Sequence, residues 1–170
     1  MSWSNPQQHP ETSHWYNQDS SMTQILREIS NNQVDLQVIK ENWGNAFSDE
    51  YNYLNINTQP AWLRDTRWVV GHETWLYAHV AIPKQTLEKN NECLKHLGTN
   101  SLGDTIFKDP AAKRHHIEVA PIEKTEYHQY FPEALSGNWI RRSTLYFHGS
   151  PLLIVEVFMP ALFEHIKIAA

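Results

Sequence analysis

Two apolar runs near the C-terminus, Trp139 to Phe147 and Pro151 to Met159, are separated by only three residues, His148-Gly149-Ser150. So short a link can join only antiparallel strands, because a parallel pair needs a crossover of a dozen or more residues. The arrangement recurs upstream, where Leu63 to Val70 and Trp75 to Ile82 flank Gly71-His72-Glu73. Val34 to Gly44 and Lys113 to Val119 add runs that alternate with a period of two. Helical signals lie between the strands. Ser20 or Ser21 can cap a helix from Met22 to Ser30, with Ile25, Leu26 and Ile29 on one side and Asn31-Asn32 at its end. Pro83 opens a stretch from Lys84 to Leu97 that Gly98 closes, and a short helix is expected from Ser101 to Phe107. Asn45 to Pro60 reads as a loop or weak strand, and Pro121 to Gly137 as a polar excursion over the surface. The pattern predicts an α+β class: one antiparallel β-sheet with helices packed on it.

A length of 170 residues suits a single domain. Met1 to Asp19 is expected to be a polar N-terminal tail pinned by Trp3, Trp15 and Tyr16, and residues Ser20 to Ala170 the domain proper. No apolar run approaches the ~18 residues of a membrane span. The lone Cys93 can form neither an intrachain disulfide nor a multi-cysteine zinc site, and no secretory signal is visible. A cytoplasmic monomer is the expectation. Lys and Arg total 14 against 19 Asp and Glu, a formal net charge of -5. The basic residues are dispersed, which argues against a nucleic-acid partner. An acidic chain that binds an acidic metabolite must do so with a few arginines focused in a pocket.

Several residues look out of place. Glu156 is the only charge in Leu152 to Met159, so it is expected to be buried, either in a structural ion pair or lining a dry pocket with a proton-handling role. If Gly149-Ser150 forms the turn, Ser143 lies opposite Glu156, Arg141 is a diagonal neighbour and Arg142 faces away; a one-residue change in the turn exchanges the two arginines. Arg64 shares a strand face with Thr66, Trp68 and Val70, a setting that suits either carboxylate recognition or an edge ion pair. His115 and His116 are adjacent on a strand and diverge, so they cannot readily chelate one metal ion. His79 lies in an apolar strand, as a core histidine would. Gly98 and Gly103 flank a turn into a helix start, where backbone N–H groups can bind an anion, but their spacing fits no nucleotide motif.

Taken in order, these segments resemble the chorismate–pyruvate lyase family. The matching pieces are Ser21-Met22-Thr23, Trp62-Leu63-Arg64, Trp75-Leu76 through Ile82-Pro83, and Leu97-Gly98 with Leu102-Gly103 and Phe107. Trp139, Arg141-Arg142-Ser143, Gly149, Pro151-Leu152-Leu153, Glu156, Phe158 and Pro160 complete the set, which spans Ser20 to Pro160. The resemblance implies an antiparallel sheet with helical flaps over a buried ligand. It implies conversion of chorismate to 4-hydroxybenzoate and pyruvate for ubiquinone synthesis, without cofactor or metal. It further implies that Arg64 and Glu156 are the catalytic residues: Arg64 binds the ring carboxylate with backbone N–H groups of Met22 and Leu102, and Glu156 meets the ring hydroxyl and takes part in the proton movement. His79 stands where the family commonly has an arginine, and would assist a substrate carboxylate only as a donor. Ser101, where proline is usual, is a smaller departure. The alternative is a stand-alone aromatic-acid sensor, since ligand-sensing domains of some transcription regulators share this kind of fold. The twenty or so residues before the matching region are too few for a helix-turn-helix domain.

Overall fold

The computed structural model describes residues 3–9, 13–131 and 137–169. Six strands form one antiparallel sheet in the order β1-β2-β3-β6-β5-β4. They are β1 (Val34–Asn45), β2 (Pro60–Val70), β3 (Glu73–Pro83), β4 (His115–Pro121), β5 (Trp139–Phe147) and β6 (Ser150–Phe158). Both expected hairpins are present. The β5–β6 turn, however, is His148-Gly149, with Phe147 opposite Ser150. Both turn residues have positive φ, 48° and 75°, as a tight two-residue hairpin turn requires. Each partner moves by two positions relative to a Gly149-Ser150 turn, so the faces are kept and Arg141 comes directly opposite Glu156.

Helix α1 (Ser13–Tyr16) precedes α2 (Met22–Ile29), whose N-cap is Ser21 and whose exit runs through Asn31 and Asn32 in the left-handed region. Helix α3 (Ser48–Leu54) occupies part of the segment expected to be loop. The long helix expected from Lys84 to Leu97 is instead α4 (Lys84–Leu87) and a 3-10 turn at Glu92–Lys95. Asn90, at φ 62°, breaks the stretch. Helix α5 (Leu102–Ile106) is capped by Ser101, and α6 (Pro160–Ala169), unforeseen in the sequence, follows the last strand. Of the expected tail, residues 1, 2 and 10–12 lie outside the described residues; Trp3 stacks on Arg142 and Tyr16 is buried. Of the expected excursion, residues 132–136 lie outside the described residues, and Ile122, Tyr127 and Phe131 are buried.

The sheet is covered on both faces. One carries Tyr77, Val155 and Val157 under Phe47, Tyr127 and Phe131. The other carries Val80, Leu145 and Ile154 under Leu94, Leu102 and Ile106, and beside them Trp68 and Leu76 under Met22 and Leu26. The second face holds the site.

Candidate functional site

Arg64 projects from β2 onto the face covered by α2 and α5, and is 1% exposed. Its guanidinium donates to Glu41 and, through Nη2, to the carbonyl oxygens of Gly98 (2.8 Å) and Asn100 (3.0 Å). Glu41 reaches Arg64 because β1 slips register between Val38 and Lys40. The extra residue, Ile39, turns Glu41 onto Arg64's face; without it Lys40 would stand there. The loop before α5 thus offers carbonyl oxygens to the arginine.

Glu156, on the same face of β6, is also 1% exposed. Arg141 donates to its Oε2 from Nε (2.9 Å) and Nη2 (2.6 Å), and Arg114 donates to Oε1 from Nη2 (3.0 Å). Arg114 is fixed in turn by donating to Ser143 Oγ (3.0 Å) and the Ser20 carbonyl (3.1 Å). Burial alone would raise the Glu156 pKa, but the charges and hydrogen bonds of Arg114 and Arg141 outweigh it and hold the carboxyl below its ordinary value. Burial is also the main reason the Arg114 pKa falls to about 10, with Glu156 opposing. Glu156 is therefore an anion at neutral pH, an acceptor of hydrogen bonds.

Arg64, Glu156 and Arg114 line one narrow cavity of about 30 Å³, roofed by Met22, Leu102 and Phe107. Three guanidinium groups (Arg64, Arg114, Arg141) gather here with the carboxylates of Glu41 and Glu156, and Asp19 also acts on Arg114, so arginines are concentrated at the site of an acidic chain. Arg142 belongs to the other face, where it pairs with Asp49 and Glu118 and lies between the rings of Trp3 and Tyr53.

His79 is not brought to the cavity. An extra residue at Trp75 shifts the β2–β3 register, so that His79 pairs with Asp65 and Val80 with Arg64. A simple continuation of the hairpin would have put His79 beside Arg64. Its Nδ1 lies 2.5 Å from Asp65 Oδ1 and its Nε2 3.2 Å from Glu50 Oε1, all three groups being buried. Burial lowers the imidazole pKa, but the two carboxylates overcome this and raise it to about 9. His79 thus carries a positive charge in the core, on the face away from the cavity.

Glu41 and Arg114 had escaped the sequence reading. Arg114 falls in the expected run Lys113 to Val119 but stands just before β4, and its pairing with Glu156 spans 42 positions. Among the described residues no group of three or more His, Cys, Asp or Glu could hold a metal ion, and no helix is long and apolar enough to cross a membrane.

The profile of a family described as Chorismate lyase matches residues 2–168 of this chain. A protein of Coxiella burnetii named probable chorismate pyruvate-lyase is 35% identical over 154 residues, which cover 88% of this chain and 83% of that one. Another from Pseudomonas entomophila, named probable chorismate pyruvate-lyase 2, is 32% identical over 157 residues, covering 90% and 82%. Solved structures give fold likeness alone. YydK of Bacillus subtilis, described as a possible transcriptional regulator, matches with a TM-score of 0.52 at 15% identity, over 76% of this chain and 60% of its own. A GntR-family transcriptional regulator of Enterococcus faecalis matches at 0.51 and 16% identity, over 75% and 95%.

Proposed function

Because the chain belongs to the chorismate lyase family, we propose that it cleaves chorismate to 4-hydroxybenzoate and pyruvate, supplying the ring precursor of ubiquinone. The observation that carries this reading is the pair Arg64 and Glu156, facing one roofed cavity from two strands of the same sheet. Arg64, with donors left over after Glu41 and the two carbonyls, takes the ring carboxylate. The backbone N–H groups of Met22 and Leu102, in the first turns of α2 and α5, complete that contact. Glu156 accepts a hydrogen bond from the ring hydroxyl.

The two arginines that keep Glu156 ionised also weaken it as a base, so orientation is the role that suits it. The hydrogen on the hydroxyl-bearing carbon passes within the substrate to the enolpyruvyl methylene as the ether C–O bond breaks. Pyruvate then leaves as the keto acid, the ring becomes aromatic, and no proton is released or consumed. Aromatisation drives the reaction and calls for no cofactor. The protein contributes a held conformation and arginine donors for a dianion.

The test is to mix the purified protein with chorismate and follow pyruvate. Formation well above the spontaneous rate is expected. No excess over that rate overturns the reading, and tight binding of 4-hydroxybenzoate in the same preparation would then point to a sensor.

A further inference from the structure

Helices α2 and α5 roof the cavity, yet among the described residues no backbone hydrogen bond joins them. Side chains hold them together instead. Arg27 of α2 makes two parallel bonds to Asp104 of α5, Nη1 to Oδ1 at 2.7 Å and Nη2 to Oδ2 at 2.8 Å. Beneath this pair, Thr23 Oγ1 donates to Ser101 Oγ at 2.9 Å in a buried contact. Gly103 lets the helices approach closely: a Cβ there would meet Thr23 Oγ1 at 2.9 Å and Ser21 Oγ at 3.0 Å. Arg27 and Asp104 do not line the cavity; their side chains are 43% and 33% exposed. With only about 30 Å³ of free space beneath Met22 and Leu102, a ring-sized ligand must displace the roof to enter or leave.

We propose that Arg27 and Asp104 form a latch between the two roof helices, and that its opening sets how fast product leaves the cavity. The second half of this inference rests on the lyase reading; the first does not. A bidentate arginine–carboxylate pair is directional, and where it spans two elements that must separate, its contribution falls on the opening step. Partial exposure makes that contribution modest and sensitive to salt. Arg27 and Asp104 are thus positioning residues, acting through the roof and not on the substrate.

The experiment compares wild type with Arg27→Gln, Asp104→Asn and the reversed pair Arg27→Glu with Asp104→Arg. Amide hydrogen exchange of the ligand-free full chain reads the latch without any substrate. Each single variant should speed exchange in residues 21–30 and 101–107 by about two- to fivefold, and the reversed pair should restore it. With chorismate, the single-turnover rate should stay unchanged while steady-state turnover and the inhibition constant for 4-hydroxybenzoate both rise by about the same factor. Raising salt from about 0.05 to 0.5 M should move wild type toward the single variants and leave those variants still. Unchanged exchange in both single variants overturns the latch. Faster exchange with unchanged turnover and inhibition overturns its control of release. If wild type forms no pyruvate the lyase reading fails, and the exchange data still decide the latch.

Discussion

Glu156 and His79 lie on neighbouring strands and opposite faces, and each is a buried charge whose state is set by what surrounds it. In the proposed reaction, Glu156→Gln removes the anion assigned to the ring hydroxyl and should cut the rate of pyruvate formation by at least ~100-fold; Arg64→Ala should do the same through the proposed carboxylate contact. Steady-state assays on variants with wild-type circular dichroism check both. His79 makes a different prediction. Its folded pKa, about 9, is raised above the ordinary 6.5, so its stabilisation is full below that ordinary value and is lost as pH rises through about 9. Urea denaturation should show that loss in wild type and not in His79→Gln. At neutral pH His79→Gln, which leaves Glu50 and Asp65 without their cation, should cost about 3 kcal/mol. Much of this was visible in the residue string, because a lone charge in an apolar strand must find a partner. Which partner was not visible. Strand parity left Arg141 and Arg142 as alternatives until the turn was fixed, and Arg114 arrives from a distant segment.

Among the helices and strands, the hairpins, the capped helix α2 and the short helix α5 could be read from local signals: alternation, a glycine at a turn, a serine before an apolar repeat. The stretch after β3 could not. Its composition favours a helix through Leu97, but Asn90 adopts a left-handed backbone and Asn91 is fully buried. Asn91 Nδ2 donates to the carbonyls of Thr86 (2.8 Å) and Phe147 (3.2 Å), and its Oδ1 meets His148 Nδ1 at 2.8 Å. One side chain thus ties the end of α4 to the β5–β6 turn, and tertiary bonds override helix propensity. Asn91→Ala should remove these bonds and lower stability by about 2 kcal/mol. Chemical denaturation measures it, with faster amide exchange expected at the β5–β6 turn. Two bulges were equally hidden. Ile39 and Trp75 are ordinary strand residues, and nothing local marks them as the extra ones, yet they bring Glu41 to Arg64 and turn His79 away.

In the molecule as a whole, α6 closes one end of the core. Leu162 is fully buried in the cluster that holds Trp75, Leu76 and Phe158, and the His165 ring lies 4.7 Å from that of Trp75. Leu162→Ala should therefore cost about 3 kcal/mol, a fall in thermal midpoint readable by calorimetry without loss of the site residues. The negative charge of the chain first argued for arginines gathered in a pocket, and Arg64, Arg114 and Arg141 are gathered there, each beside a carboxylate. Local spacing was enough to specify an antiparallel sheet, one of Arg141 and Arg142 on the face of Glu156, and a serine-capped helix at Met22, since side-chain direction along a strand or helix repeats with a fixed period. The approach of Arg114, the carbonyl oxygens turned to Arg64, the face of His79 and the Arg27–Asp104 contact came only with the folded chain. Each depends on register or on closure of a long loop, and one inserted residue reverses a strand's faces while leaving its composition the same.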